Sequence, residues 1–484
     1  MSAQTLKAAE ELKPKAVQRC ILPHCGGVYA ISERIYVCPR CGGPLEIDVH
    51  LPPANEAPGL RKLWAVRAGS RDARDRSGVW RFRELLPFED SAPVVTLFEG
   101  NTPLYDAPRC AEYAGLIGLR LKHQGCNPTG SFKDTGMTAA LTQAVVLGAE
   151  TVICASTGNT AASLSAYAAR AGLQAAILVP YGQISAAKLA QSMDYGATIF
   201  ELDGNFDDCM RLIQDLGDEP SIYVANSINP FRVEGQKTVA FELMQQCDWG
   251  GPDHVVVPGG NMGNSTALGK GFEELLRLGL IDRLPKLSVI QAEGSAPLAR
   301  LFATLGPKQR PPAQSSPQPS SPEPLSSESW LDDSRLPGTM APVEHPRTLA
   351  TAIKIGAPIS WRKALRVVLR SHGRIISVSE QEIADAKSMI GRDGIGCEPA
   401  SATTVAGIRR LVASGYIGPT DTVIAVLTGH VLKDPDYVSN YHRGTLALDT
   451  GEGNPRPIHG SFRNAPQRVE ATKQSILGVL GRRK

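Results

Sequence analysis

From about residue 95 the chain alternates short β-branched, apolar runs with longer stretches whose apolar residues recur every three or four positions. The runs are Leu119–His123, Thr151–Ala155, Gln174–Val179, Thr198–Leu202, Ser221–Val224, His254–Val257, Leu287–Ala292, Arg374–Val378 and Thr422–Leu427. Helical spacing marks Met137–Leu147, Thr160–Ala171 and Arg232–Gln246 between them. Strands alternating with helices predict an α/β protein with a parallel, doubly wound sheet. Two stretches break the rhythm. Gly306–Pro342 is crowded with Pro, Ser and Gln, buries too little apolar surface to order itself, and reads as a mobile surface insertion. From about Gly451 the tail is polar until a short helical stretch near Ser475–Leu480.

Ahead of this region the pattern is different. Residues 51–94 are rich in Pro and Arg and read as a linker with short helices near Trp64 and Trp80. Residues 1–50 form a cysteine-bearing head. The organisation expected is therefore head 1–50, linker 51–94, main α/β body 95–450 and tail 451–484, with no internal repeat. The 484 residues exceed the about 250–300 that one core supports, so two or three structural units are expected.

Apolar residues make up 42% and charged residues 20%, with a net charge of only +3. That balance asks for neither nucleic acid nor a membrane surface. Met1–Val17 lacks the apolar core of a signal peptide, and no apolar run approaches the roughly 20 residues of a spanning helix. The expected location is the cytoplasm.

Six of the ten cysteines are scattered and read as small buried hydrophobes. The other four, Cys20, Cys25, Cys38 and Cys41, cluster in the head. Cys38-Pro-Arg-Cys41-Gly-Gly has the spacing of a zinc knuckle, in which two thiolates turn into one tetrahedron. Cys20 and Cys25 are separated by four residues, and His24 could replace one of them. A zinc-ribbon-like head with a structural ion and a ribbon of free thiols both fit this pattern.

Four loops carry candidate chemistry, each at the carboxyl end of an expected strand, where ligands gather in open α/β sheets. Gly125-Cys126-Asn127-Pro128-Thr129-Gly130-Ser131-Phe132-Lys133-Asp134 places Lys133 in a first helical turn, where the positive helix end and partial burial disfavour an ammonium. Such a lysine attacks carbonyls. Ser156-Thr157-Gly158-Asn159-Thr160 offers small hydroxyl and amide groups suited to a carboxylate or a ring hydroxyl. Pro258-Gly259-Gly260-Asn261-Met262-Gly263-Asn264 lets several N–H groups converge on one phosphate. It has neither Walker nor dinucleotide spacing. The fourth loop is Thr428-Gly429-His430-Val431-Leu432-Lys433-Asp434. Each loop alone also fits an ordinary capped helix start or turn; their joint placement points to a site.

Asn127-Pro128-Thr129-Gly130-Ser131-Phe132-Lys133-Asp134, together with the asparagine loop, the glycine loop and Thr428-Gly429-His430, resembles the threonine synthase family of fold-type II enzymes dependent on pyridoxal 5′-phosphate (PLP). The likeness covers roughly residues 95–440. It implies a tryptophan synthase β-like fold of two doubly wound lobes, with the smaller at about 126–225. It further implies that Lys133 holds the cofactor aldehyde and Asn159 its ring hydroxyl. Gly260, Asn261, Met262, Gly263 and Asn264 would hold its phosphate, and Thr428 would meet its ring nitrogen. By the same resemblance the substrate is O-phosphohomoserine, bound by Asn226, Ser227 and Arg232 with Thr160 at its phosphate and by Ser156 and Thr157 at its carboxylate. Lys237 lies further along the helix of Arg232. Such enzymes are usually homodimers. Two positions depart from the family pattern: Thr135 stands where many members carry arginine, and Val431 replaces a common glycine. A threonine or serine dehydratase and a cysteate synthase are the paralogous alternatives.

Overall fold

The computed structural model describes residues 14–182, 186–306, 337–451 and 453–481. The insertion expected at 306–342 lies mostly outside the described residues. The head holds β1 (Ala16–Cys20), β2 (Val28–Ala30) and β3 (Leu45–Val49), an antiparallel sheet in the order β2-β1-β3. The body contributes β4 (Leu104–Asp106), β5 (Arg120–His123), β6 (Thr151–Ala155), β7 (Gln174–Pro180), β8 (Thr198–Leu202), β9 (Ile222–Val224), β10 (His254–Pro258), β11 (Lys286–Ala292), β12 (Ile375–Val378) and β13 (Val423–Leu427). They form two sheets. The smaller, β8-β7-β6-β9, is wholly parallel. The larger runs β12-β11-β10-β13-β5-β4, parallel except for the edge strand β4, which is antiparallel to β5.

Side chains alternate across each strand, so the large sheet feeds two cores. Val255 and Val257 of β10 join Leu287, Val289, Ile424 and Val426 on one face. Val256 joins Ile290, Ala292, Ala425 and Leu427 on the other, beneath the helix Pro399–Ala413. Strands covered on both faces are mostly apolar, which is why β10 and β13 read as continuous runs. The small sheet repeats the arrangement, with Val152, Cys154 and Ile177 on one side and Ile153, Ala155 and Leu178 on the other.

The segment 51–94, read from the sequence as a linker, forms the helix Ala57–Ala68 and the 3₁₀ turn Trp80–Leu85 and packs into the first core. Trp64 is fully buried against Phe82 and Phe241, with ring centroids 5.1 and 6.4 Å away. Each such side chain contributes roughly 1.5–3 kcal/mol by leaving water. The tail is more ordered than its polarity suggests. Ile458 is buried with Tyr437, Tyr441 and Leu446, and a helix runs Lys473–Leu480. Among the described residues no helix is long and apolar enough to cross a membrane.

One packing contact prepares the site. The helices Lys133–Val146 and Phe231–Gln246 meet through glycines. A Cβ on Gly235 would lie 1.9 Å from the Thr135 carbonyl oxygen, and one on Gly136 would lie 2.8 Å from that of Arg232. Only glycine permits this approach, which brings the first turns of both helices together with Lys133 on one and Arg232 on the other. Thr135 is buried in that contact and donates to the Phe132 carbonyl at 2.9 Å, so this departure from the family pattern is a packed position.

Candidate active site

The lysine loop is fixed from within. Asp134, fully buried, accepts from the Thr129 amide (2.7 Å), the Thr129 hydroxyl (2.6 Å) and the Ser163 hydroxyl (2.6 Å). Burial raises its carboxyl to about 6 despite those bonds. Asn127 accepts from the Gly100 amide at 2.8 Å and donates to the Gln124 carbonyl at 2.8 Å. Gly130 turns the chain at φ +84°. The loop then zips onto the residues after β13: Phe132 N–H donates to the Thr428 carbonyl and His430 N–H to the Gly130 carbonyl, both at 2.9 Å, around a Ser131–Gly429 bridge. Lys133 emerges half-buried, its Nζ 4.3 Å from the centre of the Phe132 ring. Burial, reinforced by the Arg232 cation and opposed by Glu398, lowers its amine to about 7.

Glu398 is the functional residue that sequence reasoning missed. It is buried, and its carboxylate accepts from Asn159 Nδ2 at 2.9 Å and from the Thr428 hydroxyl at 3.1 Å. Burial raises its carboxyl against these bonds. Ser401 supports the same corner, its Oγ accepting from the amides of Thr428 (2.8 Å) and Gly429 (3.1 Å). Gly429 has to be glycine, because a Cβ there would sit 2.3 Å from the Glu398 carboxyl carbon. A signal was present. Pro399 at the first helical position makes Glu398 the N-cap, a place that glutamate fills poorly, and its side chain makes no cap bond. Val431, the other departure, packs beside Gly396, where an added Cβ would meet it at 2.8 Å.

Two further elements face the same space with open donors. After β10 the glycine loop is tight: a Cβ on Gly259 would lie 2.6 Å from Val289 Cγ1, and Met262 adopts φ +66°. Met262 then begins the helix Gly263–Arg277 without a side-chain cap. Asn261 donates to the Ser227 hydroxyl at 3.3 Å and accepts from the Ile359 amide at 3.2 Å. Asn264 is buried, and neither its Oδ1 nor its Nδ2 has a partner among the described residues. On the second element, Arg232 is 3% exposed and donates to the Ala225 carbonyl at 3.1 Å, yet its Nε has no partner among the described residues. Burial lowers it to about 10. Lys237 is occupied elsewhere, at 2.6 Å from Glu234 and 2.8 Å from Glu274.

Asn226 ties its amide to Ala155, accepting from the N–H and donating to the carbonyl, both at 3.1 Å. It therefore pins the strand end on which Ser156 and Thr157 stand, both half-buried. The helix Asn159–Ala171 that follows lacks a side-chain cap, and Thr160 lies buried in its first turn. In the head, Cys20, Cys25, Cys38 and Cys41 converge, with all four Sγ atoms within 4.8 Å of one another.

Orphaned buried donors beside a glycine cradle fit two anionic groups, and a buried amine near neutrality fits an aldehyde. These residues suit PLP and a second anion. Comparison with known proteins agrees. Residues 95–429 match the family model of pyridoxal-phosphate dependent enzymes. The chain is 42% identical over 421 residues to the threonine synthase of Methanocaldococcus jannaschii, covering 87% of this chain and 93% of that one. It is 43% identical over 358 residues to the threonine synthase of Mycobacterium leprae, covering 73% and 88%. Among solved structures, the processed form of threonine deaminase isoform 2 from Solanum lycopersicum superposes with a TM-score of 0.53 at 17% identity, over 68% of this chain and 79% of that one, a likeness of fold.

Proposed function

Because the chain belongs to the pyridoxal-phosphate-dependent enzymes, and within them to the threonine synthase family, we propose that it converts O-phosphohomoserine and water into threonine and inorganic phosphate. The Cγ–O bond breaks as phosphate leaves; Cβ loses one hydrogen as a proton and bonds the water oxygen, whose spare proton is released, and Cγ gains the proton that makes it a methyl group. When bound, PLP supplies an aldehyde for amines and a conjugated ring that withdraws electrons from Cα.

The chain's own residues do the rest. Lys133 holds the cofactor aldehyde and, as a free amine near pH 7, carries protons at Cα and Cβ. The glycine loop Gly260, Asn261, Met262, Gly263 and Asn264 offers backbone donors and the open Asn264 amide to the cofactor phosphate. Asn159, held by Glu398, would meet the ring hydroxyl, and Thr428, held by Glu398 and Ser401, would meet the ring nitrogen. A hydroxyl stabilises a protonated ring nitrogen only weakly, so accurate proton placement by Lys133 matters more. Arg232, Ser227 and Thr160 receive the substrate phosphate. Asn226 acts by position, holding Ser156 and Thr157 toward the substrate carboxylate beside an uncapped helix end.

The observation that carries this reading is the buried Arg232 guanidinium, with Nε unpartnered and close enough to Lys133 to lower its pKa. A dehydratase substrate has no phosphate and would leave that cation uncompensated. The test is phosphate release from O-phosphohomoserine, with amino-acid analysis, for the wild type and Lys133→Ala. Threonine and phosphate in equal amounts from the wild type alone are expected. Bound PLP without threonine would overturn the assignment and direct the search to O-phosphoserine, threonine and serine.

A further inference from the structure

The four head cysteines take no part in that chemistry, yet they are arranged for a ligand. Cys20 ends β1, Cys25 closes the next loop, and Cys38 and Cys41 form a tight turn before β3. Cys20 and Cys41 approach to 3.5 Å between sulfurs, as do Cys25 and Cys38, and all four are free thiols. Four thiolates around a zinc ion at about 2.3 Å stand about 3.8 Å apart. The turn is preformed: the Gly42 amide donates to the Cys38 carbonyl and the Cys38 amide to the Gly43 carbonyl, both at 2.8 Å. Arg40 also secures the Cys25 carbonyl at 2.9 Å. His24 is not among the converging groups.

The segments on either side of this turn grip different lobes. Ahead of Cys38, Arg34 donates to the carbonyls of Glu219 (3.0 Å) and Ile222 (3.3 Å). The Tyr36 hydroxyl accepts from the Val224 amide at 2.7 Å, and its ring packs edge-on against Tyr223. Both contacts fall on β9 or just before it. Behind Cys41, β3 is held by the large lobe: Lys363 donates to the Leu45 carbonyl, and Arg366 pairs with Glu46 at 2.9 Å. β9 runs straight into Ala225, Asn226 and Ser227.

We propose that Cys20, Cys25, Cys38 and Cys41 bind one zinc ion, and that this ion, by locking the Tyr36 segment to β3, positions the phosphate-receiving segment 225–232 that follows β9. The metal site stands independently of the reaction, whereas the positioning role rests on the function proposed above. Four protein ligands close the coordination sphere, so the ion is structural and Tyr36 is a positioning residue.

The test uses the full-length protein. Elemental analysis should find one zinc per chain in the wild type and in Tyr36→Phe, and a loss in Cys38→Ser. Tyr36→Phe should keep the cofactor absorbance and kcat while KM for O-phosphohomoserine rises roughly three- to tenfold, the worth of one hydrogen bond. Its affinity for inorganic phosphate, read by calorimetry, should weaken to the same degree, and that measurement needs no turnover. Absence of zinc, with all four thiols reacting freely in the folded protein, would overturn the metal site, and iron in its place would overturn its identity. Unchanged KM and phosphate affinity in Tyr36→Phe would overturn the positioning role. A zinc-loaded protein with no threonine product would instead count against the proposed reaction alone.

Discussion

The loop that carries Lys133 and the two segments that carry Asn264 and Arg232 differ in their hydrogen bonding. In the lysine loop polar groups close on one another: Asp134 takes three donors, Asn127 uses both ends of its amide, and two backbone bonds zip the loop to Thr428 and His430. By contrast, Arg232 Nε and both polar atoms of Asn264 are buried without partners among the described residues. Leaving such a group bare costs roughly 1–3 kcal/mol. A fold sustains that cost where a ligand completes the set. The polar groups of the lysine loop thus close on one another, while those of Arg232 and Asn264 stay open to a ligand.

The sharpest break in this contrast comes from the open side. Arg232→Gln removes the cation but retains an amide of similar reach. Losing one partner of a buried charged contact costs about 2–5 kcal/mol, so kcat/KM for O-phosphohomoserine should fall at least about 30-fold while PLP absorbance persists. A loss confined to cofactor binding would show that Arg232 serves the wrong phosphate.

On the closed side the expected effect is smaller and falls on the fold. Asp134→Ala strands the Thr129 amide, whereas the two hydroxyls can rotate toward other partners. Unfolding free energy should drop by roughly 1–3 kcal/mol in chemical denaturation. Asp134→Asn should lose less, because its remaining oxygen can still accept from Thr129. Equal losses for the two variants would mean that charge, and not acceptor geometry, holds the loop.

The same contrast explains what was legible in the sequence. All nine expected strands of the body are present within a residue or so at each end, the clearest being β10 and β13, which are buried at every position and apolar but for His254 and Pro258. The helix does begin at Lys133, the residue placed in its first turn, although apolar spacing shows only from Met137, because the opening Lys-Asp-Thr-Gly is polar and Asp134 and Thr135 are nevertheless buried. Glu398 carried one signal, an acid poorly suited to the N-cap before Pro399, but only the folded chain brings it to Asn159 and Thr428. The head strands did carry a signal, in the strict alternation of Leu45-Glu46-Ile47-Asp48-Val49, but the cysteines beside them drew the reading toward metal. The two open side chains differ again. Asn264 and Arg232 could be proposed by family likeness, but their lack of partners is a tertiary fact.

The smallest effect is the most discriminating. In the cofactor-free protein the Lys133 amine should react with trace acetylating reagent along a pH curve centred near 7, well below an ordinary lysine, because only the neutral amine is nucleophilic. Burial is the larger cause of that depression and the Arg232 cation the lesser. Removing the cation in Arg232→Gln takes away a repulsion that disfavours the ammonium, so the midpoint must rise, yet stay below that of an exposed lysine. Glu398 pulls the other way: its carboxylate stabilises the ammonium, and Glu398→Gln should lower the midpoint. That second shift depends on Glu398 being ionised, while burial raises its own pKa. A fall in Glu398→Gln therefore reports a charged carboxylate beneath Asn159 and Thr428. An unmoved midpoint reports a protonated Glu398, which would then be a donor in the same corner.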